Sequence, residues 1–171
     1  PVTAEDVTSA PGFRGVRLPL PRPIMPTAIA WTVKGRLAFT SLKGHVYFAD
    51  DSDGDGLEDR LSLFAEGLAA PFGIAPEGGG LLVAHKPEVL FLKDSDGDDR
   101  ADFTRVIATG WGYTDDYHDW TTGIVRDRQG WHYVGLGSDY AHKNRPANES
   151  LWRGRILRFR VTGELEDFAS E

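Results

Sequence analysis

The stretch DSDGDGLEDRLSLFAEGL, residues 51–68, lies over DSDGDDRADFTRVIATGW, residues 94–111, at an offset of 43 residues. The likeness extends upstream at the same offset, where HVYFAD from His45 matches EVLFLK from Glu88. With two residues of slippage, PTAIA from Pro26 corresponds to PFGIA from Pro71. A looser third copy runs through TTGIV from Thr121, GWHYVGLG from Gly130, GRILRF from Gly154 and ELEDFAS from Glu164. Self-similarity at a fixed period of about 20 to 50 residues marks stacked units that bury their apolar faces against one another.

Each copy divides into four short runs: TAIAW, RLAFT, HVYFA and RLSLFA in the first, then GIAP, LLVAH, EVLFL and FTRVIA in the second. Such runs, rich in Val, Ile, Phe and Tyr and punctuated by Gly and Pro, are strand signals, and no amphipathic helix competes with them. Four strands per repeat predict an all-β chain of antiparallel β-propeller blades, at residues 27–69, 70–112 and 113–171. A β-sandwich of the same strand content supplies no reason for the self-match. Residues 1–26 form an N-terminal extension whose run GFRGVRLPL, from Gly12, reads as a latch-like outer strand. Propellers close with about 4 to 8 blades. The three blades are therefore expected to belong to a larger ring, completed by further blades or another subunit.

Charge is local. The 171 residues carry 26 Asp+Glu against 19 Lys+Arg, a formal net charge of −7. Eleven of the acids fall at 50–59 and 94–102, and the rest of the chain has 15 acids against the 19 bases. This excludes a basic nucleic-acid-binding field as well as a uniformly acidic surface. Without cysteine the chain has no disulfide, thiolate zinc site or CxxCH haem attachment. No apolar run is long enough for a transmembrane segment, and no charged and then apolar leader follows Pro1.

The acidic clusters carry a metal signal. Asp51, Asp53, Asp55 and Asp59 stand at loop positions 1, 3, 5 and 9, with Gly56 at position 6 and the Leu57 carbonyl at position 7. Hard oxygens at alternate positions around a sharp bend suit Ca²⁺. Ser62 stands where an EF-hand has its Glu, so Asp59 is expected to close an EF-hand-like loop set between strands. The second loop offers Asp94, Asp96, Asp98, the Arg100 carbonyl and Asp102, with Asp99 in place of the glycine. Extracellular loops of this kind bind at about 10⁻⁴ to 10⁻³ M, which points to a periplasmic or exported protein.

Strand parity separates two ends of the blades. The acidic loops share one end with tight turns at Lys34-Gly35, Gly78-Gly79-Gly80 and Gln129-Gly130. The other end receives the longer segments 40–44, 85–88, 110–120 and 137–152, with Trp111, Tyr113, Asp115, Asp116, Tyr117, His118, Asp119, Trp120, Asp139, Tyr140 and His142. Binding residues concentrate on such loops. An imidazole among carboxylates and aromatics, as at His118, is a candidate general base, although a hydrogen-bonded loop histidine has the same pattern.

GRLAF from Gly35, VYFADDSDGDGLEDR from Val46, FAEGLAAPFGIA from Phe64, LFLKDSDGDDRAD from Leu90 and ATGWG from Ala108 resemble the N-terminal propeller of the membrane-bound dehydrogenases of planctomycetes and their relatives, which belong with the glucose and sorbosone dehydrogenase-like propellers. DYHDWTTGIVRDRQGWHYVGLGSD, from Asp116, is similar to a segment of the soluble quinoprotein sugar dehydrogenases, with an interval from His118 to Gly123 two residues longer. The resemblance implies that His118 is the general base taking the sugar hydroxyl proton while hydride passes to pyrroloquinoline quinone, and that Asp139 orients it. It also implies that the cations clamping the three carboxylates of that cofactor come from later blades.

Two function classes follow. One is a propeller portion of a quinoprotein-like dehydrogenase acting on sugars or alcohols, with a cytochrome as electron acceptor. The other is a non-catalytic, calcium-stabilised propeller that binds glycans or proteins, such as a subunit of a redox complex.

Overall fold

A computed structural model describes residues 3–114, 118–138 and 152–170. Three four-stranded antiparallel sheets follow one another along the chain, each with its strands paired in sequence order. The first contains β3 (Pro26–Trp31), β4 (Leu37–Ser41), β5 (His45–Asp50) and β6 (Arg60–Ala65). The second contains β7 (Gly73–Glu77), β8 (Gly80–His85), β9 (Glu88–Lys93) and β10 (Phe103–Thr109). The third contains β11 (Thr121–Arg126), β12 (His132–Leu136), β13 (Arg155–Phe159) and β14 (Leu165–Ser170). These are blades of a partial β-propeller, and among the described residues the one helical element is a 3-10 turn at Arg22–Ile24.

The apolar runs are continuous because the middle strands are buried on both faces. On β8, Leu81 and Val83 pack with Val46, Phe48 and Phe64 of the first blade. The alternate residues, Leu82 and Ala84, pack with Val134, Leu157 and Phe159 of the third. Near the inner strands the blades converge: Gly123 N donates to Phe72 O at 3.1 Å, and a Cβ on Gly73 would lie 2.6 Å from Gly123 O. Only glycine fits that approach.

Each outer strand carries one extra residue opposite its neighbour, a β-bulge at Phe64, Ile107 and Phe168 in the three blades. Phe64 and Ile107 turn into the next blade and are 3% and 6% exposed. Phe168 occupies the same place in the third blade and is 53% exposed, with Val125 and Ile156 also exposed.

On the opposite flank, Leu37, Phe39 and Ala49 of the first blade are covered by Ile24, Leu18 and Leu20. Ser41 Oγ donates to Ile24 O there. The extension thus lies where a preceding blade would pack. Its strand β2 (Gly15–Arg17), from the latch-like run, pairs with β1 (Glu5–Val7) and with no blade strand.

The bared third-blade face generates a prediction. The isolated chain should self-associate, because roughly 25 cal/mol per Å² of apolar surface favours covering Phe168 and its neighbours. Phe168→Asp should shift the weight-average mass from multi-angle light scattering towards the monomer; a monomeric parent would remove the basis for it.

Candidate functional site

The two acidic loops, 51–59 between β5 and β6 and 94–102 between β9 and β10, fold alike. Asp51 accepts backbone N–H groups of Gly54 at 2.7 Å and Gly56 at 2.8 Å, while Asp94 accepts those of Gly97 at 2.6 Å and Asp99 at 3.0 Å. These donors, those of Gly56 and Gly97 foremost, hold both carboxyls below the usual carboxylate range. Carboxylate oxygens of Asp51, Asp53 and Asp55 lie within 4.8 Å of one another, as do those of Asp94, Asp96 and Asp98. Three convergent hard anions fit a divalent cation of the calcium type.

Asp59 and Asp102 stand outside these triads. Asp59 accepts Ser52 N and Oγ, and Asp102 accepts Ser95 N, so each ties the start of its loop to the end. The Leu57 and Arg100 amides donate to Asp55 and Asp98.

Asp99 takes the left-handed conformation, φ 68°, where the first loop has Gly56 at φ 88°. That backbone costs a non-glycine residue roughly 1–2 kcal/mol, and a partner from the first blade offsets it. Arg36 Nη1 donates to Asp99 Oδ1 at 2.6 Å, while its Nε and Nη2 grip Asp50 at 2.7 and 2.9 Å. The same guanidinium lies 4.3 Å over the Phe48 ring. Arg36 thereby joins the residue preceding the first loop to the bend of the second. Sequence reasoning missed it because nothing local marks a pair 63 positions apart.

Arg36, Phe48, Phe64, Glu77, Asp99 and Arg126 line a cavity of about 280 Å³ at this end of the blades. Beside it His132, 1% exposed, stacks on Phe159 and sits 3.4 Å from Glu77.

At the opposite end His118 is half-buried, its ring tilted 6.3 Å from that of Trp120, which stacks on Phe72 at 4.3 Å. Asp119 is 2% exposed, and its Oδ2 accepts both N and Oγ1 of Thr114 at 2.6 Å. Arg153 Nη1 approaches Asp119 Oδ1 to 3.9 Å. Lys86, in the β8–β9 turn, donates from Nζ to Thr114 O at 3.2 Å. Its carbonyl receives Trp111 Nε1 at 2.8 Å and Thr121 Oγ1 at 3.1 Å. His85 accepts the Ala69 amide on Nδ1, which leaves Nε2 to carry its proton towards Glu88 at 3.4 Å.

Lys86 and Arg153 were not legible as site residues, since their burial beside the His118 loop arises from packing between blades. Asp139, expected to orient His118, lies outside the described residues, as do Asp115, Asp116, Tyr117, Tyr140 and His142.

Burial holds His85 and His132 below the ordinary histidine value, with Glu88 and Glu77 opposing it. A folded-state pKa below the unfolded one of about 6.5 means that the unfolded chain takes up protons first, so stability is complete above that pH and is lost as pH falls below it. Hydrogen bonds from Arg36 lower the Asp50 pKa, and its contribution is lost only on further acidification, below about pH 3.9. Urea midpoints should therefore fall between about pH 7 and pH 5, and His132→Gln should flatten part of that slope; a flat profile in the parent would contradict the assignment.

No curated protein matches the chain in sequence. Several solved structures share its fold. A glucose-dehydrogenase-type oxidoreductase from Thermus thermophilus aligns at TM-score 0.63 and 20% identity over 82% of this chain and 46% of its own. The PQQ domain of pyranose dehydrogenase from Coprinopsis cinerea, in its holo form, aligns at TM-score 0.61 and 16% identity over 81% of this chain and 34% of its own. A calcium structure of a family AA12 carbohydrate-active enzyme from Trichoderma reesei aligns at TM-score 0.62 and 18% identity over 81% of this chain and 36% of its own. The chain thus spans between a third and a half of the length of these proteins, and the likeness is one of fold. Residues 26–171 match the family described as Domain of unknown function (DUF7133), and the chain belongs to that family.

Proposed function

We propose that this chain is part of the propeller of a quinoprotein-like dehydrogenase, of the planctomycete membrane-bound type, that oxidises sugars or alcohols. The observation that carries the reading is the position of His118. A half-buried imidazole stands at the end of the blades opposite the acidic loops, in a fold like that of the pyranose dehydrogenase PQQ domain. In this reading His118 takes the proton of the substrate hydroxyl and Asp139 orients it.

Three blades at 27–69, 70–112 and 113–171 would be joined by further blades or a partner subunit at the bared face of the third, and the N-terminal extension would latch the ring. Among the described residues, Lys86 and Arg153 are engaged with Thr114 and Asp119. The clamp is assigned to the rest of the ring. A cytochrome is the proposed electron acceptor and the periplasm or exterior the proposed location. No helix among the described residues is long and apolar enough to cross a membrane.

Asp51, Asp53 and Asp55, with Asp94, Asp96 and Asp98, would each hold a structural Ca²⁺, for which their convergent oxygens are suited. The Leu57 and Arg100 carbonyls and the Asp59 and Asp102 carboxyls complete the proposed ligand sets.

Two outcomes are expected. Calcium at about 10⁻³ M should raise the melting temperature, and Asp53→Asn with Asp55→Asn should abolish most of the rise; a parent indifferent to chelation would refute the metal assignment. In the full-length protein reconstituted with quinone and Ca²⁺, His118→Ala should lower dye-linked oxidation of aldoses or alcohols by at least ~10²-fold. Unchanged turnover, or failure of the full-length protein to bind quinone, would favour a calcium-stabilised module that binds glycans or proteins.

A further inference from the structure

We infer that Lys86 and Asp119 are positioning residues that clasp the loop carrying His118; the catalytic part of this inference rests on the proposed dehydrogenase reading. The loop leaves β10 at Thr109 and enters β11 at Thr121, and both of its ends are fastened to one atom. Trp111 Nε1, just after β10, and Thr121 Oγ1, at the start of β11, donate to the carbonyl of Lys86. The Lys86 amide in turn donates to Ala69 O at 3.0 Å. The turn that receives the loop is itself anchored in the connection between the first two blades.

Charged groups join Thr114 to Lys86 and Asp119. Lys86 Nζ donates to Thr114 O, and the Asp119 carboxylate closes the segment by accepting Thr114 N and Oγ1. His118 lies inside that closure. Its carbonyl accepts Trp120 N at 2.8 Å and lies where a Cβ on Gly137 would come within 3.0 Å. The backbone of His118 is thus bonded to Trp120 on one side and lies close against Gly137, at the strand end of the third blade, on the other.

Neutral turns close loops without burying charge, and a buried ammonium or carboxylate carries a desolvation cost. Setting a buried ammonium from the β8–β9 turn and a buried carboxylate against one loop is the kind of support a reacting side chain needs, because a misplacement of about 1 Å can cost roughly 10²-fold in rate. Neither group is required to touch substrate. Each acts through the position of His118.

The test uses the full-length protein with quinone and Ca²⁺. Asp119→Asn, Lys86→Met and Thr114→Val should each lower kcat at least about tenfold while KM changes less than about threefold, and Thr114→Ser should retain the parent kcat. A residue acting only through His118 adds nothing once the imidazole is gone, so His118→Ala with Asp119→Asn should turn over no more slowly than His118→Ala alone. Parent-like kcat in Asp119→Asn, or multiplied losses in the double variant, would overturn the inference.

Amide hydrogen exchange on the same protein separates this from failure of the dehydrogenase reading. The Thr114 amide should exchange at least about tenfold faster in Asp119→Asn, with the β8 amides unchanged. If the parent shows no turnover, that acceleration still supports the clasp, and equal exchange rates refute it.

Discussion

Every blade of this protein is apolar on both faces, and each must be covered on both sides. This requirement organises the rest. The second blade meets it with Leu81, Val83, Leu90 and Leu92 on one face and Leu82, Ala84 and Val89 on the other, so its strands read as unbroken apolar runs. The first blade has a neighbour on one side and its own N-terminal extension, through Leu18, Leu20 and Ile24, on the other. The third has a neighbour on one side only, and the bulge residue that is buried in the other blades is bared there.

Stacking sheets in this way confines chemistry to the two ends. At one end the strands are joined by short turns and by the acidic loops, whose carboxylates are oriented by backbone N–H groups and drawn together in threes. Arg36 crosses from one blade to the next and lets an aspartate occupy the bend of the second loop. At the other end the connection from β10 to β11 is longer, and buried charges add to the packing of Trp111 and Trp120 in fixing it. The ends thus differ in kind: one draws carboxylates together in threes, and the other sets an imidazole among buried charges and aromatic rings.

What the sequence determined by itself was whatever repeats or is local. The 43-residue offset placed the blades and their strands, because strand periodicity and glycine-marked turns are properties of neighbouring residues. The alternate acids of both loops were legible for the same reason. Tertiary structure decided what depends on contacts between blades: the grip of Arg36 on Asp99, the burial of Lys86 and Arg153 beside Asp119, and the covering of the first blade by residues 18–24. A side chain's partner across a blade interface is set by the packing of whole sheets, and no short-range pattern encodes it.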